Sequence, residues 1–131
     1  MYNSKISGLG MYVPENVVTN HDLSEMMDTS NEWIIERTGI EERRHIKKGD
    51  GNSTVTMGVK ASKIAIERAG IDKNDIDLIL FATLSPDYYF PGSGVLAQEQ
   101  LGIPTCPAMD IRNQCSGFVY AISTADQFIK T

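Results

Sequence analysis

Nothing in this 131-residue sequence stays apolar for the ~20 residues that a membrane-crossing helix needs. No signal peptide precedes Met11. Cysteine is scarce. Cys106 and Cys115 stand alone, with no C-x-x-C and no His/Cys cluster at metal-ligand spacing. The pair leaves a disulfide open, but one small bridge does not make a secreted scaffold. These absences point to a reduced, cytoplasmic protein without a metal site. Basic stripes are missing too. The net charge is −5, and the densest basic stretch, Arg43 to Lys48, is short and follows Glu41 and Glu42. It reads as a solvated hairpin, which excludes a general nucleic-acid binder. What remains is ordinary: 41% apolar and 22% charged residues, enough for one domain with a real core.

Strand-like and helix-like stretches alternate along the chain. Lys5 to Val13 reads as a first strand, with Gly8 and Gly10 permitting close backbone approach and Pro14 ending it. Asn20 can cap a short helix over His21 to Met27. Ser30 can cap a second over Asn31 to Thr38, closed by Gly39. Ile40 to Ile46 is polar and extended in character. Ser53 or Thr54 opens a long helix ending near Gly70, apolar on much of its circumference and so suited to burial between layers.

Leu78 to Ala82 is a continuous apolar run, as expected of a strand covered on both faces. A loop from Ser85 to Gly92 follows, then a helix from Ser93 to about Leu101. Cys106 to Ile111 is another strand. Ser116 to Lys130 is a last helix with Phe118, Ala121, Ile122, Ala125, Phe128 and Ile129 on one stripe. The alternation predicts an α/β fold with a largely parallel sheet.

Cys115 carries the chemistry. The run D-I-R-N-Q-C-S-G-F places it between a strand and a helix. Unpaired backbone N–H groups and the positive end of the helix dipole favour a thiolate there, and a thiolate is a nucleophile for acyl groups. Gly117 lets substrate come close, and the backbone N–H of Cys115 can donate to a thioester oxyanion. Taken alone, the motif is also compatible with a buried structural cysteine.

D-I-R-N-Q-C-S-G-F-V-Y-A resembles the active-site segment of the β-ketoacyl-acyl carrier protein synthase III family, in the thiolase superfamily. G-L-G-M-Y-V-P-E-N-V-V-T-N (Gly8 to Asn20) resembles that family's opening strand. D-T-S-N-E-W-I-I-E-R-T-G-I-E-E-R (Asp28 to Arg43) resembles its coenzyme A-binding segment, and F-P-G (Phe90 to Gly92) falls in the family's order.

The resemblance implies the amino-terminal half of a layered αβαβα thiolase-like fold with a mostly parallel mixed sheet, residues 1–131 forming a domain whose carboxy-terminal half lies outside the chain. It implies that Cys115 takes an acyl group from acyl-CoA, which is a substrate and not a cofactor. Malonyl-acyl carrier protein then loses CO2, and its enolate attacks the thioester. Trp33 matches the tryptophan that stacks on the coenzyme's adenine, Arg37 the arginine beside the same nucleotide, and Thr29 a polar contact there. Phe90 matches a phenylalanine that reaches across a homodimer interface to line the neighbour's acyl pocket. Small residues usually precede the family's cysteine, whereas Arg112, Asn113 and Gln114 stand here, which bears on the choice of primer. The family's decarboxylating His and Asn have no match; His21 and His45 read as surface histidines.

Two other readings stay open. Superfamily relatives that form quinolones, join two acyl chains or make hydroxymethylglutaryl-CoA use the same type of cysteine. A non-catalytic folding or interaction half would instead expose the apolar faces of Leu78–Ala82 and Phe118–Ile129.

Overall fold

The computed structural model describes residues 2–131. It divides into two compact units. The smaller spans residues 13–52. The larger joins residues 2–12 to residues 53–131.

In the smaller unit, β1 (Val17–Thr19) pairs antiparallel with β2 (Glu42–Arg44), so that Val17 faces Arg44 and Thr19 faces Glu42. Helix α1 (Asn20–Ser24) follows β1 directly, and its cap is Thr19 rather than Asn20. The Thr19 side chain accepts from the Asp22 amide while Asp22 accepts from the Thr19 amide, a reciprocal capping box. Asn20 has a different task. It is buried, donates to Asn31 and to the Ile40 carbonyl, and accepts from Arg43 at 2.7 Å. Helix α2 (Asn31–Thr38) matches the sequence expectation: Ser30 accepts from the Trp33 amide, and Gly39 closes it. Val18 of β1 and Ile34 of α2 are buried in this unit.

The larger unit is built on α3 (Thr54–Ala69), β3 (Ile79–Ala82), α4 (Ser93–Leu101), β4 (Ala108–Ile111) and α5 (Gly117–Lys130). A single 3-10 turn, Lys73–Asp75, occupies the polar segment before β3. Strands β3 and β4 are parallel, with Ile79 opposite Ala108 and Ala82 opposite Ile111. Val55, Val59 and Ala97 form the core between α3 and α4, with Phe81, Leu96 and Leu101 packed against it.

Residues 5–13 are not a strand; no ladder partner is present for them among the described residues. The close approach expected of Gly8 and Gly10 does occur, but onto a helix. A Cβ at Gly10 would lie 1.9 Å from the Ala61 carbonyl oxygen, and one at Gly8 2.2 Å from that of Ala65. Gly10→Ala is therefore expected to push the segment off α3 and to cost about 1–3 kcal/mol, read as a lowered midpoint in urea unfolding.

The apolar run of β3 is half-buried, not sealed on both faces, because β4 is its only strand neighbour among the described residues. The α5 stripe is likewise split. Ala121 is buried, while Phe118, Ile122, Phe128 and Ile129 are exposed.

Candidate functional site

Parallel strands deliver their carboxyl ends to one edge of the sheet, where α/β proteins gather ligand-binding loops. Two segments leave that edge here. One is the loop 83–92 after β3; the other is the turn 112–116 after β4. Thr83 N–H donates to the Ile111 carbonyl at 3.2 Å, which keeps the two departures side by side.

Cys115 sits on the second segment. It is exposed, Cys106 is half-buried, and both are free, so the two thiols form no disulfide. It immediately precedes Ser116, the N-cap of α5. The Ser116 side chain makes no capping bond, so the first turn of α5 is not closed by its own cap residue. Gly117 N–H bonds back to the Gln114 carbonyl at 2.9 Å, and the Gln114 amide donates to the Asn113 side chain at 2.9 Å. These two bonds fold the turn tightly and leave the cysteine at its crown. Gly117 is buried against β3, where a Cβ would meet Ala82 at 3.7 Å. A small residue there seats the helix start directly on the strand. The arrangement suits attack on a thioester: an accessible sulfur, a helix N-terminus and a packed wall behind it.

The loop 83–92 is tied down by two carboxylates that sequence reading passed over. Asp87 accepts from Ser53 Oγ at 2.6 Å, Thr54 N at 2.9 Å and Val55 N at 3.0 Å, satisfying orphan donors at the start of α3. Burial acts to raise its pKa, but the bonds from Ser53, Val55 and Thr54 outweigh burial and hold the carboxyl below its ordinary value. Asp110 of β4 does the same for α4, accepting from the Ser93 and Gly94 amides at 2.7 Å each. A Cβ at Gly94 would stand 3.0 Å from Asp110 Oδ1, which explains a glycine in the first turn of α4. The only sequence signal for either anchor is an Asp lying far along the chain from the helix start it serves.

Between these anchors the loop exposes three aromatic residues. Tyr88, Tyr89 and Phe90 are 63%, 82% and 88% exposed, so Phe90 is not packed beneath its neighbours. Arg112 lies over the Tyr89 ring at 4.9 Å and donates to the Tyr89 carbonyl at 3.1 Å.

Trp33, Arg37 and Thr29 belong to the other unit. The i, i+4 spacing brings Trp33 and Arg37 onto one face of α2, where they contact each other: the guanidinium stacks on the indole 4.5 Å from its centroid. Arg37 also pairs with Glu36 at 3.4 Å. Asp28, Thr29, Ser30 and Trp33 line an open pocket beside this stack. Trp33 is 52% exposed, not a core anchor. A flat ring, a cation and adjacent hydroxyls suit a nucleotide. His21 is exposed and lies 3.9 Å from Glu25; His45, the residue after β2, is also exposed. Among the described residues, no group of three His, Cys, Asp or Glu side chains is placed to hold a metal ion. Among the described residues, no helix is long and apolar enough to cross a membrane.

No family model matches the chain. Individual proteins do. It is 56% identical over 128 residues to a β-ketoacyl-[acyl-carrier-protein] synthase III of Aliivibrio fischeri, covering 98% of this chain and 40% of that protein. It is 50% identical over 131 residues to the synthase III of Ehrlichia canis, again 40% of that protein. Among solved structures, the 3-oxoacyl-[acyl-carrier-protein] synthase III of Aquifex aeolicus superposes with a TM-score of 0.91 at 46% identity, over 96% of this chain and 40% of that one. A priming β-ketosynthase of the R1128 polyketide pathway superposes with a TM-score of 0.88 at 33% identity, over 94% and 36%. The chain thus spans about 40% of the length of the curated relatives it matches.

Proposed function

We propose, for a chain whose sequence and thiolase-type fold match the amino-terminal part of β-ketoacyl-[acyl-carrier-protein] synthase III, that Cys115 is the acyl-accepting nucleophile of a condensing enzyme that starts fatty-acid chains. The observation that carries this reading is an exposed free thiol directly before the N-cap of α5, at the carboxyl edge of two parallel strands.

In the first half-reaction the Cys115 thiolate attacks the carbonyl of an acyl-CoA. The oxyanion takes donors from the backbone at the helix start, coenzyme A leaves as a thiol, and an acyl thioester remains on Cys115. In the second, malonyl-acyl carrier protein loses CO2. The resulting enolate carbon attacks the thioester, and the Cys115 thiolate departs from the 3-oxoacyl product. Acyl-CoA is a substrate, and no cofactor enters either step. Trp33, Arg37 and Thr29 hold the coenzyme's nucleotide. Phe90 lines an acyl pocket across a homodimer interface. The decarboxylating groups belong to polypeptide outside residues 1–131, and the protein works in the cytoplasm. As a second reading, the likeness at 33% identity to a priming β-ketosynthase of a polyketide pathway favours priming of a polyketide chain.

Two measurements test the reading. Trp33 is the sole tryptophan, so its fluorescence reports on one site. Coenzyme A is expected to quench it, and Arg37→Ala to weaken binding about two- to five-fold through loss of an exposed cation–π contact. Incubation with acyl-CoA is expected to add the acyl mass to the Cys115 peptide. An unlabelled Cys115 after exposure to a panel of acyl-CoAs would overturn the assignment.

A further inference from the structure

Arg43 heads the basic stretch that reads from sequence as a solvated hairpin, yet it is half-buried. Its guanidinium donates to Asn20 Oδ1 at 2.7 Å and to the Val18 carbonyl at 3.2 Å. Asn20 is 1% exposed and engages its own amide protons as well, with Asn31 Oδ1 at 3.0 Å and the Ile40 carbonyl at 2.8 Å. Asn31 opens α2, and Ile40 follows the Gly39 that closes it. One buried amide, on the first residue of α1, therefore grips both ends of α2. A short amide side chain offers two donors and an acceptor; aspartate lacks the donors, and serine has only one. The open pocket beside the Arg37–Trp33 stack draws on both helices. Asp28 and Thr29 lie on the connection that leaves α1, where the Met26 and Met27 amides bond back to the Leu23 carbonyl at 3.0 Å each. Trp33 lies on α2. The Asn20–Asn31 bond ties one helix to the other.

We propose that Asn20 is a positioning residue for nucleotide binding: held by Arg43, it fixes α2 against α1 and so sets the spacing between Thr29 and Trp33. This rests on the reading of Trp33, Arg37 and Thr29 as nucleotide contacts. Being buried, Asn20 does not meet the nucleotide itself. It acts through α2, so its loss weakens the hold on coenzyme-borne substrates and leaves the attack of the thiolate alone.

The test compares two acyl donors in the full-length protein: acetyl-CoA, and acetyl-pantetheine, which carries the same thioester arm without a nucleotide. Asn20→Asp keeps the acceptor for Arg43 but loses both donors. It is expected to raise KM for acetyl-CoA about five- to twenty-fold with kcat little changed, and to leave kcat/KM for acetyl-pantetheine as in wild type. Asn31→Ala removes only the acceptor, at an exposed position where folding is not at stake. It is expected to give the same selective shift at about two- to five-fold. Asn31→Asp keeps that acceptor and should return KM close to the wild-type value. Quenching of Trp33 by coenzyme A should weaken in step with KM. Equal losses on both thioesters, no loss on either, or an Asn31→Asp variant as weak as Asn31→Ala overturns the proposal. The nucleotide reading stands in those cases if Trp33→Ala still weakens acetyl-CoA alone. A wild-type protein that uses the two thioesters equally well overturns both.

Discussion

Cys115→Ala is expected to abolish acyl-enzyme formation, with the transfer rate falling at least about a thousand-fold and no acyl mass appearing on the peptide. The size of the loss follows from the chemistry. Covalent capture needs a nucleophile at one place, and the other thiol, Cys106, cannot stand in. It is half-buried, and its sulfur is engaged by the Gln98 amide at 3.5 Å and held beside α4. Cys115→Ser keeps the shape of the side chain but replaces a polarisable sulfur with a hydroxyl that barely ionises near neutral pH. A helix N-terminus worth about 1 kcal/mol cannot close that gap. The serine variant should therefore be nearly as inactive as the alanine one. Coenzyme A quenching of Trp33 should survive in both, because the proposed nucleotide contacts lie in the other unit. Acylation in Cys115→Ala at the wild-type rate would move the nucleophile elsewhere.

Much of this fold was legible where the signal is local. Ser30 and Gly39 bracket α2, and Ser53 and Gly70 bracket α3, because a cap bonds within a few residues of itself. The parallel strands and α5 fell within a residue or two of expectation because a continuous apolar run and an apolar stripe at helical spacing are themselves local signals. Strands without such a run depend on their partners, and there the reading failed. Residues 5–13 have the composition of a strand but no ladder neighbour among the described residues. Val17–Thr19 is a three-residue strand fixed only by Glu42–Arg44, so its own sequence is too short to announce it. On paper Asn20 is the better cap. Thr19 took the role because Asn20 is claimed by Asn31, Ile40 and Arg43, three contacts spread over the unit. The site divides similarly. The position of Cys115 could be read from a strand–helix junction. The shared face of Trp33 and Arg37 could be read from their i, i+4 spacing. The Arg112–Tyr89 contact and the two aspartate anchors could not, since each is set by tertiary placement and not by a motif.

Asp87→Ala is expected to destabilise the larger unit by about 3–4 kcal/mol, read as a drop in the urea midpoint at pH 7 with an unchanged slope. Three charge-assisted hydrogen bonds vanish together, and two of them leave backbone N–H groups of α3 unpaired next to Val55, the most deeply buried core valine. Partial exposure of the site keeps the loss below the sum for three fully buried bonds. The pH dependence separates charge from shape. Asp87 titrates below its ordinary value of 3.8 in the folded protein. Its stabilising contribution is therefore complete above the unfolded carboxylate's range and is lost as pH falls through the lowered folded value. The gap between wild type and Asp87→Ala should accordingly be widest near neutrality and narrow below about pH 4. Asp87→Asn keeps one acceptor oxygen and no charge, so it should fall between the two at pH 7 and show no such narrowing from this position. The same loss should loosen the loop 83–92 at its Asp87 end, because Thr54 Oγ1 to the Ser85 carbonyl, at 2.6 Å, is then the nearest remaining tie to α3. A wild-type-to-Ala gap that held constant from pH 7 to pH 3 would show that the carboxylate's charge contributes nothing there, and that Asp87 acts by its size alone.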